Sequence, residues 1–221
     1  ICLGAYFEGA ALYDQNHLAE AVQSLEPIVA SDNIYNAIWY LQCGFILANA
    51  QNGLGRAEEA KNTAAGLVQR MQYMGNNLLL DDAKAFQVDL SMRQGFLTQA
   101  DRWARSYEPK QVLQYYYYSP NLTWIKYWAQ KAEPQSIGET DHKAVEYEAR
   151  LREQHNVREL VEFLAFKALD LYKREDHDAS DQAMLEAIRL ALPGGMVRPF
   201  IDLGQQVSDL LSRQKSNQEF L

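Results

Sequence analysis

Apolar residues recur three and four positions apart through most of this chain. Leu18, Val22, Leu25 and Val29 form one such stripe, and Leu160, Phe163, Leu164, Leu171 and Tyr172 form another. That spacing lines one face of an α-helix, whereas a half-buried strand would alternate every second residue. Such alternation is absent outside short ambiguous runs. The pattern predicts helix pairs over 2–14 with 17–30, 34–53 with 56–74, 77–94 with 97–107, 121–132 with 139–154, and 157–175 with 178–192. A short segment near 197–203 and a closing helix at about 204–214 complete the chain. Turn residues mark the breaks: Asp14-Gln-Asn16, Asn52-Gly-Leu-Gly55, Gly95, Glu133-Pro134 and the strong stop Pro193-Gly-Gly195. Between Tyr107-Glu-Pro109 and Ser119-Pro120 the pattern is less regular, because a residue before proline avoids helical geometry.

Four of the second helices begin alike: Asn16-His-Leu-Ala-Glu-Ala21, Gly55-Arg-Ala-Glu-Glu-Ala60, Gly95-Phe-Leu-Thr-Gln-Ala100 and Asp178-Ala-Ser-Asp-Gln-Ala183. Each is a turn residue, then polar or acidic positions, then a small residue where two helices must approach closely. Ala21 to Ala60 is 39 residues and Ala60 to Ala100 is 40. Ala100 to Ala183 is 83, which holds two units if Ala144 marks a weaker one. A period near 40 fits two helices and two short turns, longer than a standard tetratricopeptide repeat. One hairpin cannot bury its apolar face alone, so each must stack on its neighbours. The expected fold is therefore all-α: a right-handed superhelix of about five tetratricopeptide-like helix hairpins plus a closing helix, one domain over 1–221. Arrays of this kind bind ligands on a concave surface.

Composition narrows the function. The formal net charge is −8, and no run of Lys and Arg could neutralise nucleic-acid phosphates. Lys167, Lys173 and Arg174 are interrupted by Asp170 and Glu175 and read as a solvated helix face. No apolar run approaches the roughly 20 residues of a membrane span, and no signal peptide is apparent. Two widely separated cysteines, Cys2 and Cys43, make no disulfide framework and suit a reducing, cytoplasmic setting. His17, His142, His155 and His177 do not pair with Cys or one another at metal-ligand spacing. Asp176-His-Asp178 lies at an inter-helix turn, where polar residues cap helices. Asn52-Gly-Leu-Gly-Arg56 lacks the lysine and glycine spacing of a phosphate-cradling loop. No cofactor, metal or catalytic residue is expected in this segment, and an enzyme is disfavoured.

The aromatics are more informative. Tyr115-Tyr-Tyr-Tyr118 is followed by Trp124, Tyr127 and Trp128, and an earlier group comprises Tyr35, Trp39 and Tyr40. Four successive tyrosines on a helix would point about 100° apart, so all four could not face a core. One reading makes them a ligand surface, with rings for stacking and phenols for directed hydrogen bonds. The other makes them a bulky wedge between stacked hairpins. On the first, the candidate contacts are Tyr115, Tyr117, Tyr118, Trp124 and Trp128, with Arg102 and Arg105 as polar partners. Trp39 and Trp103, on apolar stripes, read as core.

The last stretch is more distinctive. Ala183-Met-Leu-Glu-Ala-Ile-Arg-Leu-Ala-Leu-Pro-Gly-Gly-Met-Val-Arg-Pro-Phe-Ile-Asp-Leu-Gly204 resembles the end of the helical sensor region in MalT-type regulators, the large ATP-dependent activators of the LuxR class. The resembling features are Val197-Arg-Pro-Phe200 after Pro-Gly-Gly, then Asp202 and Gly204. Gly95-Phe-Leu-Thr-Gln-Ala-Asp-Arg-Trp-Ala-Arg105 is similar to a mid-array helix of the same family. The resemblance implies a signal-responsive transcription factor with an ATPase module, a winged-helix region, this helical array and a helix-turn-helix. In the founding member the array helps bind an inducing oligosaccharide, and inducer plus ATP promote self-association. The nucleotide-binding loop and the DNA-binding helices are missing from this sequence. The chain starts at Ile1 within an apolar helical pattern and is expected to be a segment of a longer regulator. Its expected role is to bind a small-molecule effector or a regulatory protein or peptide and to pass occupancy to self-association. No direct nucleic-acid or membrane contact is expected of it. The alternative is a plain scaffold that docks a peptide or partner protein without switching.

Overall fold

The computed structural model describes residues 2–34, 36–109, 116–131 and 134–218, with side chains from 138 to 212 in the last stretch. Among these residues every regular element is a helix and none is a strand. The chain divides into two compact units, Ile1–Lys131 and Ala132–Leu221.

In the first unit, α1 (Cys2–Asp14) and α2 (Leu18–Val29), α3 (Ala37–Gly53) and α4 (Ala57–Tyr73), and α5 (Asn77–Arg93) and α6 (Thr98–Ser106) form three hairpins, followed by α7 (Pro120–Lys131). Polar side chains start two of these helices. Asn36 Oδ1 accepts from the backbone N–H of Ile38 and Trp39, and Asn76 Oδ1 from Leu79. These are donors that the first helical turn cannot satisfy internally. Gly55 and Gly95 end the first helices of two hairpins at φ 78 and 85, left-handed geometry that glycine adopts without strain.

The repeated alanines lie at helix crossings. Ala21, Ala60 and Ala100 have 0% exposure, and Ala183 has 7%. Ala144, which marked the weaker unit, is half-buried. Helix α3 is buried on every side from Tyr40 to Gln51, because it packs against α1, α2, α4 and α5. Gly44 makes the contact with α4 possible, since a Cβ there would sit 2.4 Å from Leu67 Cδ2. Phe45, Phe86, Leu67 and Met71 fill the core between α3, α4 and α5. Tyr13, Leu25 and Ile46 fill the one between α1, α2 and α3.

In the second unit, α8 (Pro134–Glu153), α9 (Val157–Lys173) and α10 (His177–Ala191) are followed by a single 3-10 turn at Leu192–Gly194, α11 (Arg198–Ile201) and α12 (Gln205–Gln218). Helix α9 is the centre of this unit, with α8, α10, α11 and α12 packed against it. Asp176 caps α10 by accepting from Ala179 N–H at 3.2 Å, so the Asp176-His-Asp178 triplet is a helix start. The distinctive Val197-Arg-Pro-Phe200 segment places Arg198, Pro199 and Phe200 in buried positions on α11, with Arg198 paired to Asp202.

Several helix ends differ from the sequence reading by a few residues: α3 starts at Ala37 and not at 34, and α12 runs to Gln218 and not to about 214. Helix α8 starts at Pro134, five residues ahead of the expected 139, because proline fits the first turn of a helix, where its missing N–H is not needed. The fourth expected pair, 121–132 with 139–154, spans the division between the units: α7 packs on α5 and α6, and α8 packs on α9.

Candidate functional site

Helices α1, α3 and α5, the first helix of each hairpin, lie side by side in the first unit. Across them runs a non-helical segment, Tyr116 to Ser119, just ahead of α7. Gln42 of α3 holds it: its Oε1 accepts the backbone N–H of Tyr117 at 2.8 Å and of Tyr118 at 3.2 Å. Gln42 itself is 1% exposed, so these bonds form where water cannot replace them.

The two tyrosine side chains enter different clusters. Tyr117 joins the core of α1, α2 and α3, its ring edge-on to Tyr13 with centroids 5.9 Å apart. Its hydroxyl donates to Asp14 Oδ1 at 3.0 Å. Tyr118 joins the core of α3, α4 and α5, edge-on to Phe45 and Phe86 at 5.1 and 5.2 Å. Its hydroxyl lies 2.9 Å from Thr123 Oγ1, and Thr123 donates to Asp89 Oδ1 at 3.0 Å. Arg93 Nε closes this chain of bonds on Asp89 Oδ2 at 2.7 Å. Burial first, and the Asp89 carboxylate second, push the Tyr118 phenol well above its usual range, so it remains a donor.

The tryptophans form a second group, on α6 and α7. Trp124 is buried, and its Nε1 donates to Ala104 O at 3.1 Å. Trp128 is edge-on to both Trp124 and Tyr127, with centroids 6.3 and 5.2 Å away. The Arg105 guanidinium lies 5.5 Å from the Trp128 ring centroid, a cation–π contact. The Trp128 Nε1 is buried without a hydrogen-bond partner among the described residues. Asp101 gathers the neighbouring donors: Lys131, Tyr127 at 2.6 Å and Arg105 at 3.1 Å. Lys131 first, then Tyr127 and Arg105, hold its carboxyl well below the usual carboxylate range.

The structure thus brings Trp124, Trp128 and Arg105 together, and buries Tyr117 and Tyr118 in two other clusters. Arg102 is exposed on α6. Tyr115 and Tyr35 lie outside the described residues. Trp39 and Trp103 are half-buried and pack against the two cores. Sequence reasoning did not single out Gln42, Asp14, Asp89, Thr123, Asp101 or Lys131. The available signals were Gln42, polar within the apolar run Leu41 to Leu47, and Asp89 with Arg93 one turn apart.

These groups are mostly buried hydrogen-bond donors and acceptors set among aromatic rings. Burial, and next the neighbouring Cys2, push the Cys43 thiol up to about 12, so it stays protonated and a poor nucleophile. Among the described residues, no group of three or more His, Cys, Asp or Glu is placed to hold a metal ion. No helix among them is long and apolar enough to cross a membrane.

Comparison with known proteins gives one result. No curated protein and no solved structure matches the chain. The family model described as the MalT-like TPR region matches residues 2–217. A match over nearly the whole length, on a chain built of stacked helix hairpins, shows that it belongs to the MalT-like TPR region family.

Proposed function

We propose that this chain is the sensing and interaction module of a MalT-like, LuxR-class transcriptional activator in the cytoplasm. It binds a small inducer or a regulatory protein on the face lined by α1, α3 and α5, and its occupancy biases self-association of the regulator. The module is non-catalytic, carries no cofactor, and leaves nucleic-acid contact to other parts of the regulator.

The observation that carries this reading is the use already made of that face. A non-helical stretch of polypeptide is held there by a glutamine that reads backbone N–H groups and by two pockets with acidic or hydroxyl ends. The face therefore carries a directed acceptor for main-chain N–H groups beside its apolar area. A ligand can shift the assembly only by binding one state more tightly than another.

The test is a transcription assay on the parental regulator. Deleting residues 2–217, or exchanging them for the equivalent region of another regulator, is expected to abolish or redirect the response to signal. An unchanged response to the original signal would overturn the reading. On the chain itself, a thermal-shift screen of sugars, aromatic metabolites and peptides is expected to give a stabilising class. Saturation at 100 times Kd corresponds to about 2.7 kcal/mol.

A further inference from the structure

Gln42 engages the bend at Tyr117 and Tyr118 through its main chain. One side-chain oxygen accepts two consecutive backbone N–H groups, an interaction indifferent to side-chain identity. Selectivity then falls to the side chains, and these diverge. Tyr117 enters the cluster between α1 and α3, and Tyr118 the cluster between α3 and α5. Main-chain hydrogen bonds that give affinity and side-chain pockets that give specificity are how folded domains recognise peptide segments.

Each pocket ends in an acceptor suited to a phenol. At the first, Asp14 Oδ1 takes the Tyr117 hydroxyl. At the second, Thr123 stands between the Tyr118 hydroxyl and Asp89. Phenylalanine would fill either pocket and leave its acceptor without the phenol. Phosphotyrosine would bring about two negative charges against a buried carboxylate, which both pockets exclude. Asp14 and Asp89 are 5% and 3% exposed, so little solvent screens that repulsion.

We propose that the face where α1, α3 and α5 meet is a peptide groove selective for two adjacent, unphosphorylated tyrosines, and that Tyr117-Tyr118 is a resident copy of the ligand, displaced by a partner protein's own tyrosine pair. The proposal rests on the sensing reading above and gives its partner a chemistry. The resident segment competes from a tether, at an effective concentration on the order of 1 mM. A partner at ~10 μM must therefore bind the open groove about 100-fold more tightly than the resident segment does. That margin must come from contacts beyond the two pockets, so the partner's segment is longer than a dipeptide.

The experiment removes the tethered competitor. In the whole chain carrying Tyr117→Gly and Tyr118→Gly, with helicity checked by circular dichroism, a fluorescein-labelled Tyr-Tyr-Tyr-Ser-Pro-Asn peptide is titrated by anisotropy. The expected result is saturable binding at least tenfold tighter than to the unsubstituted chain. Adding Gln42→Ala, or phosphorylating the second and third tyrosines, is expected to abolish it. A folded double variant that binds no peptide, or binds the phosphorylated form equally, overturns the groove. The transcription assay would still judge the sensing reading on its own terms. If the double variant does not fold, the same peptide carrying benzophenone at its third tyrosine is irradiated with the unsubstituted chain at ~1 mM. Cross-links to α3 or α5 support the proposal, and cross-links elsewhere or none overturn it.

Discussion

Tyr117 donates its hydroxyl to Asp14 Oδ1 at 3.0 Å, joining positions 103 residues apart in the chain. Asp14 closes α1, and Tyr117 lies two hairpins further on, so this bond ties the connection ahead of α7 back to the first helix. Both residues are buried, at 4% and 5% exposure. Removing the hydroxyl withdraws a donor from a buried carboxylate, which costs more than an exposed bond would.

Tyr117→Phe is accordingly expected to destabilise the first unit by about 1.5–3 kcal/mol, the range for hydrogen bonds to charged groups. Ring packing against Tyr13 is retained in that variant, so the loss isolates the hydroxyl. Urea unfolding followed by circular dichroism measures it. A variant as stable as the parent would show that Asp14 is satisfied without Tyr117.

Gln42 is the second point of attachment. Gln42→Met keeps the side-chain length and volume but removes the oxygen that accepts the Tyr117 and Tyr118 amides. Each buried N–H left unpaired costs about 1–3 kcal/mol. The segment is expected to loosen before the helices do. Hydrogen exchange at the 117 and 118 amides should therefore rise by an order of magnitude or more, with the α3 and α5 amides unchanged. Equal acceleration throughout the unit would show that Gln42 supports the whole core instead.

These two residues show where the sequence was legible. Helix periods, the polar turn at Asp176 and the repeated alanines are local signals, set within one turn or one hairpin. They placed the elements to within a few residues, with the start of α8 furthest off, because Pro134 reads equally as a break or as a first-turn residue. The aromatic site was legible only in outline. Helical spacing would send four successive tyrosines in four directions, but Tyr117 and Tyr118 stand outside any helix and are both buried. Gln42 is marked only as a polar residue in an apolar run, and its partner arrives 75 residues later. A polar residue in an apolar run looks like a surface position until the segment that covers it is known.

Gly44 gives a prediction on packing. A methyl group there would lie 2.4 and 2.7 Å from the two Leu67 methyls, and Leu67 is 1% exposed within a filled core. Alanine favours an α-helix over glycine by up to about 1 kcal/mol, whereas overpacking a core costs about 1–3 kcal/mol. Overpacking is the larger effect, because Leu67 has no space to retreat into. Gly44→Ala is expected to lower Tm, and the pair Gly44→Ala with Leu67→Ala is expected to lose less than the sum of the two single losses. Additive losses in that double-mutant cycle would show that the clash is relieved elsewhere.

Asp101 supplies a pH dependence with a defined sign. Lys131, then Tyr127 and Arg105, hold its folded carboxyl well below the free value of 3.8. The unfolded chain therefore takes up a proton at this position first as the pH falls. The stability contributed by Asp101 is fully present above pH 3.8, and it is lost progressively as the pH drops from there towards the lower folded value. Asp101→Asn removes the titration and the charge together. Above pH 5 the variant is expected to melt below the parent, and the gap is expected to narrow, without vanishing, as the pH is lowered through 3.8 towards 3. The Asp101 side chain is 40% exposed, so the gap should be small and should narrow further in 1 M salt, where the screening length falls to about 3 Å. Thermal melts of both proteins between pH 6 and pH 3, at low and high salt, measure this directly. A gap that stayed constant across that range would show that the loss does not come from the charge shared with Lys131 and Arg105.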